Sequence, residues 1–339
     1  MTQPTRTEQA TKLQSHLAGY VATRTINLGL RHGLLDALAA NQVGLDPDEL
    51  ARRTGLDLFY TRVWCQAAFA AAVLDQAAGG RYRLASHLDN LLLDPSSPAH
   101  VGATFVILEH PEIFEQFSDH FGSGLRTWWD QQPPAFIDAV AATGTPFYTR
   151  LIPGGLDRVP GLADRLAAGG RVLELACGAG VGLARLADTY PAAQLVGVDG
   201  DVYSLKLAAQ RLEEAGASDR VELVACSLEE LALNAEFELA VINISMHECR
   251  DLDRVTANVR RALRPSGWFV ISDFPFPDTP EGLRSLPGQT MTAIQFFEAL
   301  IGDQLLPTAT YLELLAGHGF RDVDSFELTP THVVVHGKA

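Results

Sequence analysis

The chain has 339 residues, 47% of them hydrophobic, with 41 acidic against 26 basic residues and a net charge of −15. That length and apolar content suffice for two domains with separate cores, and the acidic balance disfavours nucleic acid because the few cations form no cluster. No apolar run reaches the roughly 18 residues of a membrane span, and the N-terminal MTQPTRTEQATK lacks the apolar core of a signal peptide, so we expect a soluble, cytoplasmic protein.

From Leu13 to Ala39 small and apolar residues recur at helical spacing, which predicts a largely apolar helix followed by a short second one. DPDELARRTGL predicts a helix with Asp46 as N-cap, Pro47 in the first position and Gly55 at the end. DLFYTRVWCQAAFAAAVLDQ again has the period of a helix, and GGRYRLASHLDNLLL reads as a glycine turn, a short strand and a further element. Helix, turn, helix and a β wing outline a winged-helix module. A DNA-reading helix needs polar and basic side chains, yet Phe59 to Leu74 offers one cation, Arg62, among Phe59, Trp64, Phe69 and many alanines. A helix apolar nearly all round is a buried one, so a dimerisation or structural role is expected.

Residues 98–160 read as a helical linker and pocket wall, rich in aromatics that include Phe105, Phe114, Phe117, Trp128, Trp129, Phe136, Phe147 and Tyr148. The first domain is accordingly placed at 1–97 and the last at 161–339. The four cysteines, Cys65, Cys177, Cys226 and Cys249, are scattered without CxxC spacing and read as core thiols; no metal site is expected.

After Gly170 the pattern alternates between strands and helices: RVLELAC, QLVGVD, VELVACS, ELAVINIS and WFVISDF as strands, with DLDRVTANVRRALRPSG as a helix ended by Pro265 and Gly267. Repeated βα units predict an α/β fold with a parallel sheet covered on both faces, binding its ligand beyond the carboxyl ends of the strands. In VLELACGAGVG, Gly178 and Gly180 let the backbone turn tightly and approach a ligand. Asp199 ends the next strand about twenty positions on, where a carboxylate can take the hydroxyls of a ribose. A dinucleotide fingerprint would need a glycine at Leu183, and Glu174 would repel a pyrophosphate while attracting an ammonium group. The pattern therefore favours a nucleoside carrying a cationic amino-acid moiety over a nicotinamide cofactor.

ELACGAG resembles the first motif of the class I S-adenosylmethionine-dependent methyltransferases, E/D-x-G-x-G-x-G, with Ala176 in place of its first glycine. The resemblance covers the C-terminal half in several ordered motifs and extends upstream to small-molecule O-methyltransferases with winged-helix dimerisation domains. It implies a Rossmann-like sheet whose last strand, in LLAGHGFRDVDSFELTPTHVVVHGK, runs antiparallel, and S-adenosyl-L-methionine as cofactor. It further implies that Gly178 and Gly180 lie against the methionine and ribose portions, that Asp199 binds the ribose, and that Ser227 and the Leu228 backbone meet the adenine. Asn243 would stand near the sulfonium and Tyr148 would close over the cofactor. His247 in HECRD is the candidate base for methyl transfer to a hydroxyl, with Glu248 expected in solvent. Met291, Phe296, Phe297 and Leu300 suit an apolar, aromatic or polyketide-like small-molecule acceptor, and a homodimer is implied. Two rival readings share these features: a metabolite-sensing winged-helix transcriptional regulator, and a methyltransferase fold with other chemistry.

Overall fold

The computed structural model describes residues 3–339 and divides into two compact units, the first running to His110 and the second from Pro111 to Ala339. None of the described helices is long and apolar enough to cross a membrane.

In the first unit, Thr5 and Glu8 form a reciprocal capping box that starts a long helix, Arg6–Arg31, followed by Leu34–Ala39. Asp46 caps Pro47–Thr54, which stops at Gly55 with φ of 71°, a left-handed conformation natural to glycine. The next helix, Leu58–Ala70, is shorter than its sequence period suggests. Ala72 turns the chain with φ of 56°, and the segment after it becomes strand β1 (Leu74–Ala77), paired antiparallel with β2 (Arg81–Leu84). Nor is this helix wrapped in core. Only Thr61, Trp64, Cys65 and Ala68 are buried, whereas Phe59, Tyr60 and Val63 face outward. The unit also extends past residue 97, because the Asn27 side-chain amide donates to the Phe105 carbonyl at 2.8 Å, tying the Gly102–Ile107 helix to the first one. The segment read as a linker is thus divided between the units.

The second unit is built on seven strands: β3 (Arg171–Leu175), β4 (Gln194–Asp199), β5 (Val221–Ala225), β6 (Phe237–Asn243), β7 (Leu263–Asp273), β8 (Arg321–Thr329) and β9 (His332–Lys338). Their order is β5-β4-β3-β6-β7-β9-β8. Pairing is parallel from β5 through β7, and β9 runs antiparallel to both β7 and β8. The chain leaves β3 toward β4 on one side and returns to β6 on the other. The strand-end crevice therefore opens beside β3, the switch point at which such sheets bind ligands. The helix before β7 ends at Ala262 rather than continuing to Gly267. Leu263 turns extended, Pro265 has no amide to lengthen a helix, and a Cβ on Gly267 would lie 2.8 Å from the Phe237 carbonyl oxygen of the neighbouring strand.

Both faces of the sheet are apolar, as burial on two sides requires. Val172, Leu239, Val241, Trp268 and Val270 pack with Leu183 and Leu186 on one face; Leu173, Ala240, Ile242, Phe269 and Ile271 pack with Val255, Val259 and Leu315 on the other. Strand alternation then fixes where the polar residues at the strand ends point. Glu174, Asn243 and Ser272 fall on the first face, and Asp273 on the second.

Candidate active site

The carboxyl ends of β3, β4, β5 and β6 surround a cavity of about 770 Å³, walled by Tyr148, Ala176, Gly178, Ala179, Asp199, Ser227, Leu228 and Asn243 among others. This is the size range of a small-molecule or cofactor pocket.

Asp199 closes the loop geometry. Its Oδ2 accepts from the Gly178 amide and its Oδ1 from the Asp201 amide, both at 2.8 Å, leaving a lone pair on each oxygen for a ligand hydroxyl. Burial raises its pKa, and the amides of Asp201 and Gly178 counteract this. Gly178 has φ of 50°, and a Cβ there would meet nothing within 4 Å, so bare backbone faces the cavity. Ala176, which replaces a motif glycine, is itself left-handed at φ of 48°, a conformation costing an alanine about 1–2 kcal/mol. Gly180 does something other than expected. A Cβ on it would lie 2.9 Å from Ala208 Cα and Cβ, so glycine is needed there for close helix packing, and the residue does not line the cavity.

Glu174 lies beneath this loop, 1% exposed, and neither carboxylate oxygen has a hydrogen-bond partner of ordinary geometry. Burial pushes its pKa up to about 8; the nearby Tyr148 hydroxyl lowers it and the Asp199 charge adds to the rise. Tyr148, from the Pro134–Arg150 helix, is itself buried and held far above the ordinary phenol range by burial and by Glu174. Gly182, the last glycine of VLELACGAGVG and the one given no role from sequence, makes room for both: its Cβ would fall 2.1 Å from Glu174 Oε1 and 2.4 Å from Tyr148 Cε1. Ser227 and Leu228 open the short turn after β5 and line the cavity on the side away from β6.

His247 is 4% exposed, with Nδ1 2.8 Å from Asp273 Oδ1 and Nε2 3.4 Å from Glu298 Oε1. Asp273 also accepts from the Phe274 amide and the Tyr311 hydroxyl, each at 2.8 Å, so both of its oxygens are engaged. Burial alone would depress the imidazole pKa, but the Asp273 and Glu298 charges raise it well above the usual value. Glu248 is not in solvent as expected. It is part of the cavity wall, and burial, together with the Glu298 charge, lifts its pKa well above the carboxylate range. Asp303, another wall residue, is pushed up to about 7 by burial and by Glu298. His247, Glu248 and Glu298 each offer a ligand atom, all within 4.8 Å of one another.

Sequence reasoning missed Asp273 and Glu298. The first ends the apolar strand WFVISDF, where any polar strand-end residue is suspect; the second is a lone acid within the apolar TMTAIQFFEALI. Of the proposed acceptor contacts, Met291, Phe297 and Leu300 are core, and Phe296 packs edge-on against Phe114 and Phe117. Trp128, Trp129, Ile137, Val140 and Ile244 wall the cavity instead.

Bare glycine backbone, a ribose-ready carboxylate and a buried acid with no charged partner fit a nucleoside with a cationic amino-acid tail, and the strand order is that of a Rossmann-like methyltransferase sheet. Residues 172–267 match the methyltransferase domain family. The chain is 31% identical over 166 residues to the malonyl-[acyl-carrier protein] O-methyltransferase of Methylovorus sp. (strain MP688), covering 47% of this chain and 54% of that protein. Thus the match spans about half the length of that relative. The chain is 30% identical over 212 residues to the trans-aconitate 2-methyltransferase of Azoarcus sp. (strain BH72), covering 62% and 75% respectively. The fold matches that of mitomycin 7-O-methyltransferase over 98% of this chain and 99% of the other, with a TM-score of 0.72 at 18% identity. The chain belongs to the class I S-adenosylmethionine-dependent methyltransferases, and S-adenosyl-L-methionine is the cofactor of that family.

Proposed function

We propose that the protein methylates a hydroxyl of an apolar small molecule with an aromatic or polyketide-like skeleton. The observation that carries this is the buried His247–Asp273 pair, whose Nε2 lies 3.4 Å from Glu298 Oε1, in a segment whose Ser245 and Glu248 wall the cofactor cavity while His247 itself stands behind that wall. When bound, S-adenosylmethionine supplies an electrophilic methyl group. Glu174 and Tyr148 hold the amino-acid end, Asp199 the ribose, and Ser227 and Leu228 the adenine. Trp128, Trp129 and the Pro134–Arg150 helix supply apolar wall that excludes water and orients a flat acceptor. His247 would take the hydroxyl proton on Nε2 while the cofactor supplied the methyl group to the oxygen. Asp273 keeps Nδ1 protonated, which leaves Nε2 as the basic nitrogen of the neutral ring.

A homodimer formed through the first unit is part of this reading. Leu13, Leu17, Tyr20, Val21 and Leu28 stand exposed on the Arg6–Arg31 helix, with spacings that gather most of them on one side, and Phe59, Tyr60 and Val63 are exposed on another helix of the same unit. Exposed large apolar side chains gathered in this way support an interaction site. The deciding experiment is a turnover screen of phenolic and polyketide hydroxyl compounds with methyl-labelled cofactor. Label appearing on nitrogen or carbon, with none on oxygen, would overturn the hydroxyl assignment.

A further inference from the structure

On the same sheet face as Glu174 runs a second set of buried polar groups that the mechanism above does not use. Arg150 Nε donates to His332 Nδ1 at 3.0 Å, His332 Nε2 lies 2.7 Å from Ser272 Oγ, and Ser272 Oγ donates to Asn243 Oδ1 at 2.6 Å. The direction of every proton in this line is settled by its first member. A guanidinium only donates, so Nδ1 must accept, Nε2 carries the imidazole proton and gives it to Ser272, and the serine proton goes to Asn243. The carboxamide is thereby fixed with its oxygen toward Ser272. Its Nδ2 has no partner among the described residues, although Asn243 is 1% exposed and part of the cavity wall. His332 is fully buried, its ring packs 4.6 Å from Phe147, and burial and the Arg150 charge push its pKa down to about 3, so it stays neutral.

Two under-satisfied groups thus lie on one face of adjacent strands: a carboxylate at Glu174 of β3 with the Tyr148 hydroxyl as its one nearby donor, and a donor without acceptor at Asn243 of β6. An α-amino acid carries the complementary pair on a single carbon. We propose that Asn243 binds the carboxylate of the cofactor's amino-acid end through its Nδ2, and that Arg150, His332 and Ser272 are positioning residues that hold the amide in the donating orientation. This rests on the methyltransferase reading of the cavity and assigns its amino-acid subsite.

The test is calorimetric titration of the full chain with S-adenosylhomocysteine and with methylthioadenosine, which keeps the nucleoside and sulfur but lacks the amino-acid carbons. Asn243→Ala should weaken S-adenosylhomocysteine binding about tenfold, the scale of one hydrogen bond to a charged group, and leave methylthioadenosine unchanged. Ser272→Ala should produce the same selective loss, and the double variant should be no worse than Asn243→Ala alone. Histidine ring ¹⁵N spectra should show His332 as the Nε2–H tautomer without titration from about pH 5 to 8, set against the ordinary value near 6.5. Equal weakening of both ligands, additive losses or a His332 that titrates near its ordinary value would overturn the relay. Unchanged S-adenosylhomocysteine binding in Asn243→Ala would reassign the amide to the acceptor and overturn the carboxylate contact. Failure of wild-type protein to bind either ligand would instead defeat the cofactor assignment itself.

Discussion

Two buried histidines of the second unit, His247 and His332, share a side chain, a near-total loss of solvent and a contact with the end of β7, yet their proton affinities diverge in opposite directions. Consecutive residues of that strand point to opposite faces, so Ser272 anchors His332 while Asp273 anchors His247. Burial disfavours the charged ring in both. The neighbours decide the outcome: a guanidinium on one side lowers the proton affinity of His332, and two carboxylates on the other raise that of His247. Proton-transfer chemistry belongs with the second kind of environment and fixed orientation with the first.

The comparison breaks most visibly at His247. Replacing it with Ala should lower turnover by about 10²–10⁴-fold while leaving S-adenosylhomocysteine affinity in place, as single-turnover kinetics and calorimetry would measure. Equal loss of both would make His247 a structural residue without a part in proton transfer. Asp199→Ala follows in size, with cofactor affinity reduced by about one to two orders of magnitude in the same titration, from loss of hydrogen bonds worth about 1.5–3 kcal/mol to a charged group.

The charge argument can be sharpened by editing the partners. Because His247 must be neutral to take a proton and its pKa is raised, kcat/KM should climb with pH above neutrality. Glu298→Gln removes one raising charge and should move that ascending limb to lower pH; a limb that stays put would exclude His247 as its source. Glu174 offers a stability readout. Its pKa is raised from 4.5 to about 8 in the folded chain, so its contribution is fully present below about pH 4.5 and is lost as pH rises through about 8. Ligand-free protein should therefore melt a few degrees lower at pH 9 than at pH 6, and Glu174→Gln should flatten that slope. The smallest expected effect is from chelation. If His247, Glu248 and Glu298 work as a proton-handling cluster rather than as metal ligands, treatment with a chelator leaves turnover unchanged, and a loss restored by a divalent cation would reverse that assignment.

The sequence alone determined the βα order, the glycine loop and its acids, because these rest on local rules: the period of a strand, the conformational freedom of Gly178, and a carboxylate one βα unit downstream. It also named His247 as the candidate base. The end of the helix at Ala262, the exposed side of Leu58–Ala70 and the packing role of Gly180 were not legible there, since each depends on what a neighbouring element places nearby. Only the tertiary structure decided the proton affinities. Asp273 and Glu298 lie 26 and 51 positions beyond His247, and Arg150 lies 182 before His332. Electrostatic interaction depends on distance through space, which the folded sheet sets and the spacing along the chain does not.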